Sequence, residues 1–134
     1  MKKVIFLIMS FLLATNANSW AQDKDDPFDS ITKAIEESDS RSLSDLFNLT
    51  IEIRLPGNEN TYSSSQAEMI MKDFFKKCPP DSFTIIQKGT TDPVSKFAIG
   101  DYISGNKLYQ VYIHLRKEKE KYLIQKIKFD EKKP

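Results

Sequence analysis

The sequence predicts a single α+β domain, with helices and a hairpin at the front and a long antiparallel meander at the back. Three observations point there. Ala67, Ile70, Met71, Phe74, Phe75 and Cys78 recur at three- and four-residue spacing, which puts them on one face of a helix. Tyr109, Val111, Ile113 and Leu115 alternate with Gln110, Tyr112, His114 and Arg116, the period of a strand with two unlike faces. Gly105-Asn106, set between two such runs, is a hairpin signal.

The elements follow in order. Asp26 suits an N-cap, Pro27 the first helical position and Asp29 the first turn. Phe28, Ile31, Ala34 and Ile35 then define an apolar face, so a first helix is expected from Pro27 to Ser38. Ser42 with Asp45 resembles a capping box, and Leu43, Leu46 and Phe47 give a short second helix its apolar side. Leu49, Ile51, Ile53 and Leu55 alternate with Thr50, Glu52 and Arg54, which marks a strand. Pro56-Gly57-Asn58 turns the chain, and Thr61 to Ser63 form a brief returning strand. Ser65 and Glu68 have the spacing to open the long helix, which Pro79 and Pro80 stop.

Four strands come next: "DSFTIIQKGT", "SKFAIGDYI", "LYQVYIHLRK" and "YLIQKIKFD". Strict alternation in the last of these would turn Leu123, Gln125, Ile127 and Phe129 inward; the preferred reading is a bulge at Gln125-Lys126, which puts Tyr122, Ile124, Ile127 and Phe129 on one face. It also removes Gln125 from the core and bends the sheet.

The 134 residues suit one domain. "MKKVIFLIMSFLLATNANSWAQ" has two lysines, an apolar run from Val4 to Leu13 and a small-residue exit, the layout of a signal peptide cleaved after Ala21. The run is half the roughly 20 residues a bilayer span needs. The expected organisation is a signal peptide at 1–21, a flexible tail at 22–26, the domain at 27–130 and a disordered end at 131–134. The mature chain is expected to be exported, to periplasm or medium, with no membrane span.

The whole chain carries 20 basic and 19 acidic residues; losing Lys2 and Lys3 with the leader turns the formal +1 into −1. A nucleic-acid binder would show a basic surplus, so none is expected as a partner. Cys78 is the single cysteine, which excludes an internal disulfide. Its place on the apolar stripe suits a buried, inert thiol better than a nucleophile.

His114 is the single histidine and invites a catalytic reading. Parity argues otherwise. The apolar odd set of 109–115 should pack inward, which sends His114 to the outer face. One His and one Cys on different elements do not make a metal site, and no glycine-rich phosphate loop exists. Neither metal nor cofactor is expected.

The order helix, short helix, hairpin, long helix and four strands resembles the cone-shaped fold named after nuclear transport factor 2. Ketosteroid isomerase and SnoaL-type cyclases share that fold. The resemblance covers about Phe28 to Asp130. Its marks are Asp26-Pro27 opening the first helix, the Ser65–Cys78 helix, and "YLIQKIKF", which looks like the closing strand with tyrosine where tryptophan is common. With the leader and the length, the chain is also similar to a family of small secreted bacterial proteins described as domain of unknown function 4783.

The resemblance implies a curved antiparallel sheet wrapped around the long helix, a cystatin-like cone with a pocket at its open end. Tyr62, Phe74, Phe83, Tyr102, Tyr109 and Tyr122 are the pocket residues it suggests, suited to a small apolar or amphipathic ligand. It also implies homodimers through the outer sheet face, here Tyr112, His114 and Arg116. Isomerases of this fold use an inward carboxylate, for which Asp101 is the candidate because it shares parity with Phe97 and Ile99. The expectation is a non-enzymatic binding domain. The alternatives are an isomerase or dehydratase using Asp101, and a dimeric assembly module without ligand.

Overall fold

Asp26 opens the described chain as an N-cap, its carboxylate accepting the Phe28 N–H at 2.9 Å. The structure is a computed structural model and describes residues 26–133; the expected signal peptide lies outside them. Helix α1 (Pro27–Glu36) buries Phe28, Ile31, Ala34 and Ile35, the predicted face. It stops two residues short of the predicted end because Ser38 adopts a left-handed backbone, φ 57°. Ser38 N–H then bonds to the Ile35 carbonyl and Asp39 N–H to the Ala34 carbonyl, a Schellman closure.

Asp39 at once caps α2 (Ser40–Ser44), accepting from Ser42 N–H at 3.0 Å. The cap expected at Ser42 therefore sits three residues earlier. The long helix α3 (Ser64–Lys77) shows the same slip: its capping box is Ser63 with Gln66. Three consecutive serines offer two boxes, and the earlier one lets α3 start directly from the preceding strand. Glu68 instead accepts from Ser44 Oγ of α2.

Strand β1 (Phe47–Leu55) turns at Pro56-Gly57, where Gly57 takes φ 82°, into β2 (Asn58–Ser63). After α3 come β3 (Ser82–Asp92), β4 (Ser95–Ser104), β5 (Lys107–Glu118) and β6 (Lys121–Lys132). The six strands form one curved sheet in the order β2-β1-β6-β5-β4-β3. Its seams are antiparallel except β1 with β6, which is parallel and joins the front hairpin to the meander. The disordered end expected from residue 131 is instead strand: Glu131 pairs with Tyr109 and Lys132 with Leu108.

Curvature has a local cause. Leu115 pairs with Ile124 and His114 with Lys126, so Gln125 is an extra residue in β6, the predicted bulge. Ile124, Ile127 and Phe129 are all buried on one face as a result, with Tyr122 packed beside them. A second bulge makes Ile86 the extra residue of β3. Bulges bend the bulged strand and raise its twist. Between Phe47 and Glu52 the β1–β6 register also shifts, and Leu49, predicted to face inward, stands 85% exposed. The core lies between α3 and the concave sheet face, where Tyr109, Val111, Ile113 and Leu115 meet Met71, Phe74 and Phe75.

Candidate functional site

Alternation decides what enters the cone. On β5 the odd residues face in and His114 faces out, half-buried. On β4 the even residues face in: Ala98, Gly100 and Tyr102 are buried, with Asp101 on the opposite face. Asp101 does share a face with Phe97 and Ile99, but that face is the outer one. The inward position expected for its carboxylate is corrected on this ground. The apolar bulk of Phe97 and Ile99 suggested the wrong side; the interior takes small residues there because Phe83 already fills the space over Gly100.

Four of the six predicted pocket residues come together. Phe74, Phe83, Tyr102 and Tyr109 join Phe75 and Phe129 in one aromatic cluster. Phe74 and Phe129 centroids lie 4.8 Å apart, Tyr102 and Phe129 5.3 Å, Tyr102 and Tyr109 5.8 Å. Tyr102 is 0% and Tyr109 2% exposed, so rings fill the cone. The Tyr102 hydroxyl donates to the Cys78 carbonyl at the end of α3. Cys78 Sγ lies 3.4 Å from the Tyr109 hydroxyl. Burial, then the ionisable groups of Cys78, Tyr109 and Asp81, push the Tyr102 phenol up, so it stays a donor.

Above this cluster a cleft of about 320 Å³ opens at the mouth of the cone. Leu55, Pro56, Phe74, Cys78 and Tyr109 form its apolar walls; Asn58, Asp73, Lys77, Lys107 and Glu131 form its polar rim. Asp73 and Lys77 pair at 3.0 Å, one turn apart on α3. Tyr62 stands next to the cleft, its hydroxyl accepting from Asn58 at 3.0 Å. Tyr122 is elsewhere, at the β5–β6 hairpin, with the Lys96 and Lys117 ammoniums 4.9 and 5.9 Å from its ring. Phe83 and Tyr102 lie beneath the cleft without lining it. Leu55 and Pro56 of the β1–β2 turn and Lys107 and Glu131 of the β5–β6 strand ends meet here only in the folded chain, so no local pattern marks them. A second depression, about 440 Å³, lies between α1 and α2. Ala34 and Leu46 are its apolar lining, it holds no aromatic ring, and its Asp39 is already spent capping α2.

Tyr112, His114 and Arg116 share the outer face. Tyr112 stacks on Phe97 at 6.3 Å, with the Lys128 ammonium 5.0 Å from its ring. Arg116 reaches Glu118 at 3.6 Å. Burial first, then the charges of Lys126 and Arg116, hold the His114 imidazole below its ordinary value, with Asp92 pulling the other way.

That shift has a testable sign. Above the ordinary histidine range neither state is protonated. As pH falls, the unfolded chain takes up the proton first, so the stability the neutral imidazole contributes is lost down through the folded value. Urea midpoints should fall across that interval, and less so in His114→Gln. An equal fall in the variant would refute the assignment. Among the described residues, no group of three or more His, Cys, Asp or Glu could hold a metal ion, and no helix is long and apolar enough to cross a membrane.

The family model described as Domain of unknown function (DUF4783) matches residues 28–130. None of the curated proteins matches the chain. Among solved structures, the chain is similar to a DUF4783 family protein from Bacteroides uniformis: TM-score 0.74 and 24% identity, over 79% of this chain and 97% of that one. It is also similar to a ketosteroid isomerase-like protein from Erwinia carotovora atroseptica, with TM-score 0.67 and 12% identity, over 81% and 92%. A protein with a cystatin-like fold from Caulobacter vibrioides gives TM-score 0.64 and 10% identity, over 81% and 86%. At these identities the likeness is one of fold, the nuclear-transport-factor-2-like cone.

Proposed function

The chain belongs to the DUF4783 family, and from its geometry we propose a non-enzymatic binding domain whose small amphipathic ligand sits at the mouth of the cone. The observation that carries this is the 320 Å³ cleft, whose floor is the buried edge of the aromatic core at Phe74 and Tyr109. Its size and its mix of apolar walls with a few polar groups are those of a small-molecule site. The cone itself is packed with rings, so the ligand lies on that packing instead of inside it. Asp101 stands on the other face of the sheet, so the isomerase alternative has no inward acid there. Export of the mature chain belongs to the same reading.

The neutral fluorescent probe N-phenyl-1-naphthylamine tests it. Saturable binding is expected, weakened at least about tenfold in Leu55→Glu, which puts a carboxylate in the apolar wall. Unchanged circular dichroism would show that the variant folds. Saturable binding equal in both proteins, or none in either, would remove the reading.

The outer face favours a second reading, contact with another copy of the chain. The Phe97–Tyr112 stack forms an apolar centre there, and Ile103, 40% exposed, stands further along β4 on the same face. The Glu52–Lys126 and Arg54–Asp130 pairs flank the stack on the β1–β6 side. Light scattering should give a dimer mass that Tyr112→Glu halves; one mass for both proteins would count against it.

A further inference from the structure

Resting on that binding reading, we infer that the mouth cleft selects a zwitterion with a bulky apolar tail, such as an α-amino acid with an aromatic side chain, held between Lys107 and Glu131. Tyr109 pairs across the seam with Glu131, and Lys107 lies two residues before Tyr109 on the same strand face. Lys107 and Glu131 are therefore diagonal neighbours, a relation that sets residues about 7–8 Å apart. Both line the cleft and both are exposed. Among the described residues neither forms an ion pair, with the other or with any third group. The remaining charges of the rim, Asp73 and Lys77, neutralise each other.

The rim thus offers one cation and one anion side by side above an apolar floor of Leu55, Pro56, Phe74 and the Tyr109 ring. A singly charged ligand meets one of them and leaves the other to water. A zwitterion sets its carboxylate on Lys107 and its ammonium on Glu131, with the tail lying along Phe74. The four rim charges sum to zero, so selection comes from this local match rather than from a field favouring either sign.

Calorimetric titration separates the possibilities, with L-phenylalanine, N-acetyl-L-phenylalanine (no ammonium) and phenethylamine (no carboxylate). L-Phenylalanine should bind about tenfold tighter than either analogue, the scale of one charge-assisted contact. Glu131→Gln should abolish its advantage over the acetylated analogue and Lys107→Gln its advantage over the amine. Both side chains are exposed, so both variants should fold. Three affinities within about twofold of one another, a ranking unmoved by the variants, or no binding of L-phenylalanine while N-phenyl-1-naphthylamine still binds, would each overturn the inference and leave the binding site standing. Failure of the naphthylamine as well would take the binding reading with it.

Discussion

Phe74→Ala is expected to cost about 3–5 kcal/mol of folding stability, the usual range for truncating a buried phenylalanine. The upper part of that range applies. Phe74 touches four rings, those of Phe75 on its own helix and of Tyr102, Tyr109 and Phe129 on three different strands, which cannot follow the loss. Phe129 and Tyr102 sit in sheet registers, and the Tyr102 hydroxyl is tied to the end of α3. Domains of this size hold only about 5–15 kcal/mol in all, so the variant should unfold at much lower urea. Phe74 is also a wall of the cleft, so its removal joins the cleft to the space above Tyr102. Urea denaturation measures the first effect, and larger, more apolar probes measure the second. A loss below about 1 kcal/mol would mean the rings repack and the cone interior is soft.

Gly100→Ala should cost about 2–3 kcal/mol, near the top of what overpacking does, whereas Gly89→Ala should cost less than about 1 kcal/mol. The two glycines face opposite sides of the sheet, and an aromatic ring lies over each. A Cβ at Gly100 would stand 2.8 Å from the Phe83 ring and 2.9 Å from the Thr84 carbonyl oxygen. The ring is enclosed in the core and the carbonyl is backbone, so neither yields cheaply. The nearest atoms to a Cβ at Gly89 all belong to the ring of Phe97, at 2.4 Å, but that ring lies on the outer face, where it can swing. Thermal or urea unfolding of both variants side by side checks the order; equal losses would contradict this account.

Much of the architecture was legible because it rests on periodicity. The α3 stripe and the odd set of β5 each follow from a repeat that only one conformation can bury, and the bulge at Gln125 from the polar side chain that strict alternation would bury. Helix starts were less legible, since Ser63 and Ser65, or Asp39 and Ser42, are equally able caps and the neighbouring element chooses between them. The facing of β4 misled because Ala98 and Gly100 look less like core than Phe97 and Ile99. Their inward place makes sense only once Phe83 is known to lean over Gly100. The cleft was half legible: its aromatic floor came from residue type, but Leu55, Pro56, Lys107 and Glu131 belong to three strand ends and a turn. Their encounter is a property of the closed cone, and no local pattern encodes it.

The bulge in β3 reaches beyond bending. β3 is the last strand of the sheet, and such a strand offers open N–H and C=O groups to any passing chain. Ile86 breaks the flat run that a seventh strand would need. Two residues on, Lys88 carries its charge toward the cone side, where it meets the Asp26 carboxylate that caps α1. At the opposite end, β2 is short and wholly polar apart from Tyr62. Neither margin is a template for polymerisation, so this sheet can stay at six strands even when the protein is crowded.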